Sequence, residues 1–284
     1  LISLMNYKSI LFFLGIFSLL VSLFSVLNIL YSIYFNFIID LNSYLITLFI
    51  SLTLGCLFFY VGRHHSKNFT LTDQIIFILL IYFFIPLLIS IPYFFSIYNI
   101  NLLNSYFESV SGFTTTGFSI IQNVKDYDEP LLLWRSSSQW IGGLIFLIAT
   151  IGTIGSKQIK IKPAYLISGG ASGINFYNNF NYNFIKIITI YFFSSIFVIF
   201  LFSLVDVRLY DAFNLAFTTV SAGGFIPTDD LSDIIGSNLQ TFIFGIGLLF
   251  PILNFYLFYK LIFNKFKITD HYEDFYLIFF IFLF

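Results

Sequence analysis

One short segment occurs twice in this chain, 107 residues apart, and it limits the possible folds more than any other feature. The first copy covers Phe107–Phe118 and the second covers Asn214–Phe225. Both copies are rich in Thr, Ser and Gly, and each lies between two apolar stretches. A bilayer tolerates polar, non-helical backbone only where protein or a water-filled cavity surrounds it. The repeat therefore predicts two re-entrant loops that line a pore.

The composition excludes a soluble domain. Of the 284 residues, 58% are hydrophobic and only 10% are charged, and the mean hydropathy is +0.92. Several apolar stretches reach the roughly 20 residues that a helix needs to cross a bilayer. The lone Cys56 rules out a disulfide framework or a cysteine-based metal site within the chain. We therefore expect an all-α membrane protein.

The apolar stretches predict six complete membrane helices and the start of a seventh near residue 275. Their approximate bounds are 10–33, 43–61, 73–97, 131–155, 183–205 and 239–263. The first is too long and lacks the cleavage site of a signal peptide, so we interpret it as an anchor. Two plain helices thus precede two units of helix, half-helix, loop and helix.

These units predict four regions along the chain. Residues 1–66 form an N-terminal pair of helices, 67–165 the first helix–pore loop–helix repeat, and 166–268 the second. Residues 269–284 begin a third repeat. The chain starts with Leu1 and stops inside an apolar stretch, so we expect a fragment or a truncated gene.

The distribution of basic residues predicts the orientation, because Lys and Arg concentrate in cytoplasmic loops. A cytoplasmic N-terminus places ten Lys and Arg inside and leaves only Lys125, Arg135 and Arg208 outside. Both Thr/Gly loops and ten acidic residues then lie at the outer face. These carboxylates indicate either an acidic mouth that concentrates cations or ordinary solvated loops, and the sequence leaves both interpretations open.

Each Thr/Gly loop has the residues that a backbone-carbonyl ion site requires. A dehydrated cation needs oxygen ligands in place of its hydration shell, and rings of carbonyls provide them. Glycine permits the backbone conformations that turn carbonyls inward. The candidate filter residues are small: Thr114, Thr115, Thr116 and Gly117 in the first loop, and Ser221, Ala222, Gly223 and Gly224 in the second.

A short apolar segment precedes each loop, at Leu103–Ser111 and Tyr210–Thr218. Each is too short to span a membrane and predicts a half-helix that enters from outside. Its C-terminal end, with the negative end of the helix dipole, would favour a cation. Asn104 and Asp211 occupy equivalent positions, and we expect them to cap the two half-helices.

The residues around the first loop resemble a known family. Ser111–Gly117 reads SGFTTTG, and Trp134–Ser136 and Gln139–Gly143 follow as WRS and QWIGG. With Thr219–Phe225 (TVSAGGF), these motifs resemble the Trk/Ktr/HKT superfamily of potassium transporters, over nearly the whole chain. The two preceding helices resemble its TrkH/TrkG branch.

The resemblance implies four helix–pore loop–helix repeats around a central pore, of which this chain has about two. It implies that potassium ions bind the filter carbonyls of residues 114–117 and 221–224, with Gly117 favouring potassium over sodium. It further implies a bacterial inner-membrane protein that forms a homodimer on a cytoplasmic nucleotide-binding regulatory subunit of the TrkA type. It implies no bound cofactor and no enzyme activity.

Several residues outside the two loops have a structural or a functional interpretation. Trp134 and Arg135 are either membrane-interface anchors, or Arg135 pairs with Glu108 and braces the first loop. Gly142 and Gly143 predict close helix contact. His64 and His65 form no metal motif, and the 157–162 loop is either a regulatory docking site or a positive-inside signal.

Three functions compete. The leading one is a potassium uptake subunit, or less favoured, a sodium-permeable transporter. A non-conducting structural subunit or fragment is the main alternative. An integral-membrane enzyme is disfavoured, because the outer acids are scattered and have no partnering His or metal pattern.

Overall fold

The computed structural model describes residues 6–64, 71–154 and 180–249, together with the single positions 251, 276, 279, 280 and 283. Within these ranges every regular element is helical, so the all-α class is confirmed. The helices are α1 (Tyr7–Tyr34), α2 (Leu41–Gly62), α3 (Leu71–Phe95), α4 (Leu102–Phe113), α5 (Glu129–Ile154), α6 (Phe180–Ser203), α7 (Leu209–Ser221) and α8 (Asn238–Leu249).

Helices α1, α2, α3 and α5 are long and apolar enough to cross a membrane. The 24-residue α6 matches the predicted fifth span. Helix α8 is described only to Leu249, so the rest of the predicted sixth span and nearly all of the seventh lie outside the described residues. The three boundaries of the predicted regions, near 66, 165 and 268, lie outside them too.

The two repeats share several unusual backbone features at the same offset. Residues with left-handed φ occur in pairs 107 positions apart, which is unusual because only glycine adopts this conformation readily. The pairs are Asn99 (52°) with Asp206 (59°), Thr115 (54°) with Ala222 (55°), and Gly117 (80°) with Gly224 (82°). Two 3-10 turns, Val124–Asp126 and Leu231–Asp233, keep the same offset. The similarity seen in the sequence is therefore a structural duplication.

Helix α5 is the most buried of the long helices and forms the centre of the core. Its Trp134, Ile141 and Ile145 are each 1% exposed. The half-helices α4 and α7 both pack against it. Helices α1 and α2 form a tight outer pair, in which a β-carbon added at Gly15 would lie 2.7 Å from the Phe59 backbone nitrogen. Any side chain larger than hydrogen would separate these two backbones.

Contacts between the turns show that the long helices alternate in direction. At one end the Ile97 amide donates to Asp40 Oδ1 (3.0 Å) and the Tyr31 hydroxyl donates to Glu129 Oε2 (2.5 Å). At the other end the Asn6 amide donates to Asp73 Oδ1 (2.9 Å). We call the first of these the acidic end. Which side of the membrane it faces stays a prediction.

Candidate pore-loop site

The two half-helices begin differently. The Asn101 side chain caps α4 by accepting a hydrogen bond from the Asn104 amide at 2.8 Å. Helix α7 begins after Arg208 and has no side-chain cap. The prediction that Asn104 and Asp211 are the caps is therefore wrong. Both are the third residue of their helix, where Asn104 receives a capping bond instead of making one.

The two half-helices end in the same way. The Thr115 amide donates to the Gly112 carbonyl (2.9 Å) and the Thr116 amide to the Ser111 carbonyl (3.0 Å). In the second repeat Ala222 donates to Thr219 (3.1 Å) and Gly223 to Thr218 (2.8 Å). These are Schellman endings, which satisfy the last carbonyls through a left-handed residue. The chain thus leaves each half-helix at a defined angle and enters the candidate filter segment.

Most of the candidate filter carbonyls are unpaired. In the part of the chain that the structure describes, the carbonyl oxygens of residues 114–117, and of Ser221, Ala222 and Gly224, accept no hydrogen bond. The exception is Gly223, whose carbonyl accepts from Gln139 Nε2 at 2.6 Å. Apart from Ser221 and Gly223, the filter residues are exposed or only partly buried. Their unpaired carbonyls are therefore open to an electropositive partner such as a cation, or to water.

The two filter segments lie against each other. A β-carbon added at Gly117 would collide with the Gly223 carbonyl oxygen, so the two loops touch at this point. Gly224 has open space on the corresponding side. Because both glycines have φ near 80°, a larger residue would be strained at either position, and it would also collide at Gly117.

Gly142 and Gly143 of α5 make the close contacts predicted for them. A β-carbon on Gly142 would collide with the Phe113 carbonyl at the end of α4. One on Gly143 would lie 2.8 Å from Ser221 Cβ at the end of α7. Consecutive glycines on one helix thus admit the ends of both half-helices.

A buried ion pair braces the first loop. Arg135 Nε donates to Glu108 Oε1 at 3.0 Å, and the two side chains are 3% and 0% exposed. Arg135 Nη2 also reaches Ser119 Oγ (3.1 Å), and Glu108 Oε2 accepts from the Ile120 amide (3.1 Å). The pairing predicted for Arg135 is confirmed. Anchoring at a membrane interface is wrong for it and for Trp134, whose indole donates to the Ile89 carbonyl in the core (3.0 Å).

Gln139 holds the second loop, a role that the sequence analysis did not assign. Its Oε1 accepts from Thr218 Oγ1 (2.9 Å) and from the Phe225 amide (3.1 Å), while its Nε2 binds the Gly223 carbonyl. Gln139 follows Arg135 by four residues, so both side chains project from one face of α5. The four-residue spacing from Arg135 was the sequence signal that could have indicated this role for Gln139. The Arg135 guanidinium also lies 4.2 Å from the centre of the Phe225 ring, which links the two loops.

Beyond the filter segments, charged residues connect the repeats at the acidic end. Lys125 Nζ lies 3.1 Å from Asp233 Oδ2 and 3.7 Å from Asp229 Oδ2. The hydrogen bond from Lys125 lowers the pKa of the Asp233 carboxyl. Arg208 pairs with Glu129. Several acids of the predicted mouth therefore have basic partners, and an acidic mouth for cations stays a prediction.

No group of three or more His, Cys, Asp or Glu side chains within residues 6–64, 71–154 and 180–249 is placed to hold a metal ion. His64 is exposed beside Arg63. His65 and the 157–162 loop lie outside the described residues, so docking of a partner there is untested.

No family model matches the chain. It is 27% identical over 283 residues to an uncharacterized cation transporter, MJ1485, from Methanocaldococcus jannaschii, which covers 92% of this chain and 54% of that protein. It is 26% identical over 206 residues to the Trk system potassium uptake protein TrkH of Vibrio parahaemolyticus, covering 70% of this chain and 42% of TrkH. The chain thus spans about half the length of these relatives.

The crystal structure of TrkH from Vibrio parahaemolyticus superposes on the chain with a TM-score of 0.73, at 23% sequence identity. The superposition covers 91% of this chain and 52% of TrkH. The chain therefore has the TrkH fold over nearly its whole length. Its relatives are named as transporters and not as enzymes. The ion-binding role of the eight filter residues remains a prediction, which the unpaired carbonyls motivate.

Proposed function

We propose that this chain contributes two repeats to a TrkH-type potassium transporter, in which the carbonyls of residues 114–117 and 221–224 bind a dehydrated potassium ion. The observation that carries the proposal is the set of unpaired carbonyls in two touching loops. A potassium ion needs a shell of oxygen ligands but no particular bond direction. Rings of backbone carbonyls provide that shell in potassium channels.

The electrostatics of the half-helices support a cation at this place. Both α4 and α7 run with their C-terminal ends toward the filter segments. Each C-terminus carries a partial negative charge, equivalent to roughly half an elementary charge. The basic Arg135 beside the first loop is neutralised by Glu108, so it does not oppose a cation there.

The relatives support potassium as the ion. The Vibrio parahaemolyticus protein is named a Trk system potassium uptake protein, as is TrkI of Halomonas elongata, which is 36% identical over 70 residues, or 25% of this chain and 13% of TrkI. The resemblance to the family gives a further argument for potassium at Gly117, because Ser at this position accompanies sodium permeation in related transporters. The alternative is a sodium-permeable protein, and measuring potassium and sodium uptake distinguishes the two.

By the same resemblance, we propose that the complete transporter is a homodimer in the bacterial inner membrane with its N-terminus in the cytoplasm. A cytoplasmic nucleotide-binding subunit of the TrkA type would regulate it. Since the chain spans about half of its relatives, two further repeats, from a longer reading frame or another chain, would complete the filter.

The test is growth of a potassium-uptake-deficient bacterium at low potassium. We would express the 284-residue chain, and in parallel any longer reading frame of its source that contains it. Whichever restores growth is then compared with its Gly117→Ser variant for potassium and sodium uptake. Gly236→Ser is the matched control, because Gly236 has open space around it and no left-handed φ.

We expect Gly117→Ser to lower the preference for potassium over sodium about tenfold or more, which equals about 1.4 kcal/mol of discrimination. The physical reason is the collision of the new side chain with the Gly223 carbonyl. Gly236→Ser should behave as wild type. Unchanged selectivity in Gly117→Ser at normal membrane levels would contradict the filter assignment. If neither the 284-residue chain nor a longer reading frame restores growth, a non-conducting structural subunit is favoured.

A further inference from the structure

Two carboxylates hold the turn that leads from α3 into the first half-helix. Asp40, in the turn between α1 and α2, accepts a hydrogen bond from the Ile97 amide at 3.0 Å. Asp128, just before α5, accepts from the Tyr98 hydroxyl at 3.2 Å, and its own amide donates to that hydroxyl at 2.7 Å. Consecutive residues of one turn, Ile97 and Tyr98, are thus bound to two acids from distant parts of the chain.

Two buried polar atoms beside this turn lack partners. Asp40 is 3% exposed, and its Oδ2 has no hydrogen bond from any described residue. The same holds for the hydroxyl of Tyr44, which is 0% exposed. Asp128 and Asp40 are the charged groups that act on Tyr44, so its hydroxyl shares their pocket. An unsatisfied buried polar atom costs roughly 1–3 kcal/mol, which indicates that something else binds here.

Among the residues that the structure describes, this pocket holds negative charge without a basic partner of its own. Its titratable groups are Asp40 from the α1–α2 turn, Tyr44 from α2, Tyr93 from α3, Tyr98 from the α3–α4 turn with Tyr127 packed on it, and Asp128 before α5. The Glu108–Arg135 pair acts on Tyr93 and Tyr127, but Arg135 is bound to Glu108. Two neighbouring carboxylates with no cation disfavour double ionisation.

We propose that Asp40 and Asp128 form a proton-binding site, which takes up one proton from the aqueous phase at the acidic end and steadies the turn into α4. A proton on a carboxylate converts one acceptor oxygen into a donor, which is the group that the pocket lacks. Asp128 is partly exposed, so the proton has a path from solvent. The proposal does not depend on the ion that the pore loops bind.

The expected pH dependence follows from the acids themselves. Burial, and then the charge of Asp40, raise the pKa of Asp128 to about 6, and burial raises the pKa of Asp40. The folded protein therefore holds the proton at pH values where the unfolded chain has released it. The stabilisation is present at low pH and is lost as the pH rises from about 4 to about 6.

The experiment measures the thermal unfolding temperature of the purified 284-residue chain in detergent as a function of pH. Wild type should show a fall between about pH 4 and about pH 6 that levels off at higher pH. Asp128→Asn should remove that fall, and Asp40→Asn should move its midpoint down by roughly one pH unit, because a like charge is gone. Asp126→Asn is the matched control, since Asp126 is exposed two residues away, and it should follow wild type.

Two results would overturn the proposal. One is an identical pH profile in wild type and Asp128→Asn. The other is stabilisation by added sodium or calcium at constant pH that Asp128→Asn abolishes, which would assign the pocket to a metal ion. If Asp40→Asn does not fold, Tyr44→Phe replaces it. The Tyr44 hydroxyl oxygen can accept a hydrogen bond from the protonated carboxyl, so its loss should move the midpoint of the fall to lower pH, and an unchanged midpoint would count against the site. These readouts stay valid whether or not the chain conducts potassium.

Discussion

At the scale of single residues, the two loops share their helix endings and left-handed positions but have different supports. The position equivalent to Glu108 in the second repeat is Leu215, and the one equivalent to Arg135 is Phe242. The first loop is therefore held by charge, and the second by the neutral amide of Gln139. Because one helix face carries both supports, a rotation of α5 would disturb both loops together.

A double-mutant cycle on Glu108 and Arg135 tests how much the buried pair contributes. Glu108→Gln and Arg135→Met should each lower the free energy of unfolding by about 3–5 kcal/mol, since each leaves a buried charge without its partner. The double variant should cost clearly less than the sum of the two. Unfolding by SDS titration in mixed micelles measures all three.

The control cycle uses Glu129 and Arg208, whose side chains are 24% and 57% exposed. Exposed pairs contribute about 0–1 kcal/mol, so the coupling energy in this cycle should be small, whatever the Glu129 variant loses through its separate bond to Tyr31. Additive costs in the Glu108 and Arg135 cycle would contradict a coupled pair.

At the scale of elements, the site depends on how closely two half-helices approach α5. Gly142 and Gly143 remove the side chains that would keep α4 and α7 away. Since helix association in lipid has little hydrophobic driving force, small residues at contacts are its usual means. The position of both loops therefore follows from two adjacent residues of one helix.

Gly142→Ala should destabilise the protein by about 1–3 kcal/mol, the usual cost of overpacking, because the added methyl collides with the Phe113 carbonyl. Gly245→Ala in α8 is the matched control, as nothing lies within 4 Å of its added β-carbon. Alanine should stabilise that helix by up to about 1 kcal/mol. Opposite signs in SDS unfolding are the expected outcome, and equal effects would show that the contact at Gly142 is not tight.

At the scale of the whole molecule, the helices separate charge between two ends. Asp40, Asp128 and Glu129 meet at the acidic end, whereas Lys8 lies beside Gly62 and Arg63 at the other. The bias of basic residues predicts that the Lys8 end is cytoplasmic. Both half-helices then enter from outside.

Cysteine labelling in intact cells tests this orientation. In a Cys56→Ser background, Lys125→Cys at the acidic end should react with a membrane-impermeant maleimide added outside. His64→Cys should react only after the cells are permeabilised. Both native side chains are exposed, so burial does not prevent labelling. The reverse pattern would place the half-helices on the cytoplasmic side.

Local chemistry determined much of this protein. Apolar runs of about 20 residues have to be helices in lipid, and Gly117 and Gly224 mark one of the three pairs of left-handed positions, since glycine adopts that conformation readily. Repetition of a 12-residue pattern was enough to predict duplicate loops. The Glu108–Arg135 pair could also be proposed, because an isolated charge in an apolar stretch needs a partner.

Only the tertiary structure decided which residues meet across long separations. Asn101, and not Asn104, caps α4 because the helix starts three residues earlier than the equivalent cap would require, a register that sequence leaves uncertain. Gln139 reaches Gly223 across 84 positions, and Asp40 reaches Ile97 across 57. Such pairings arise from how helices pack in three dimensions, and no local pattern in the chain encodes them.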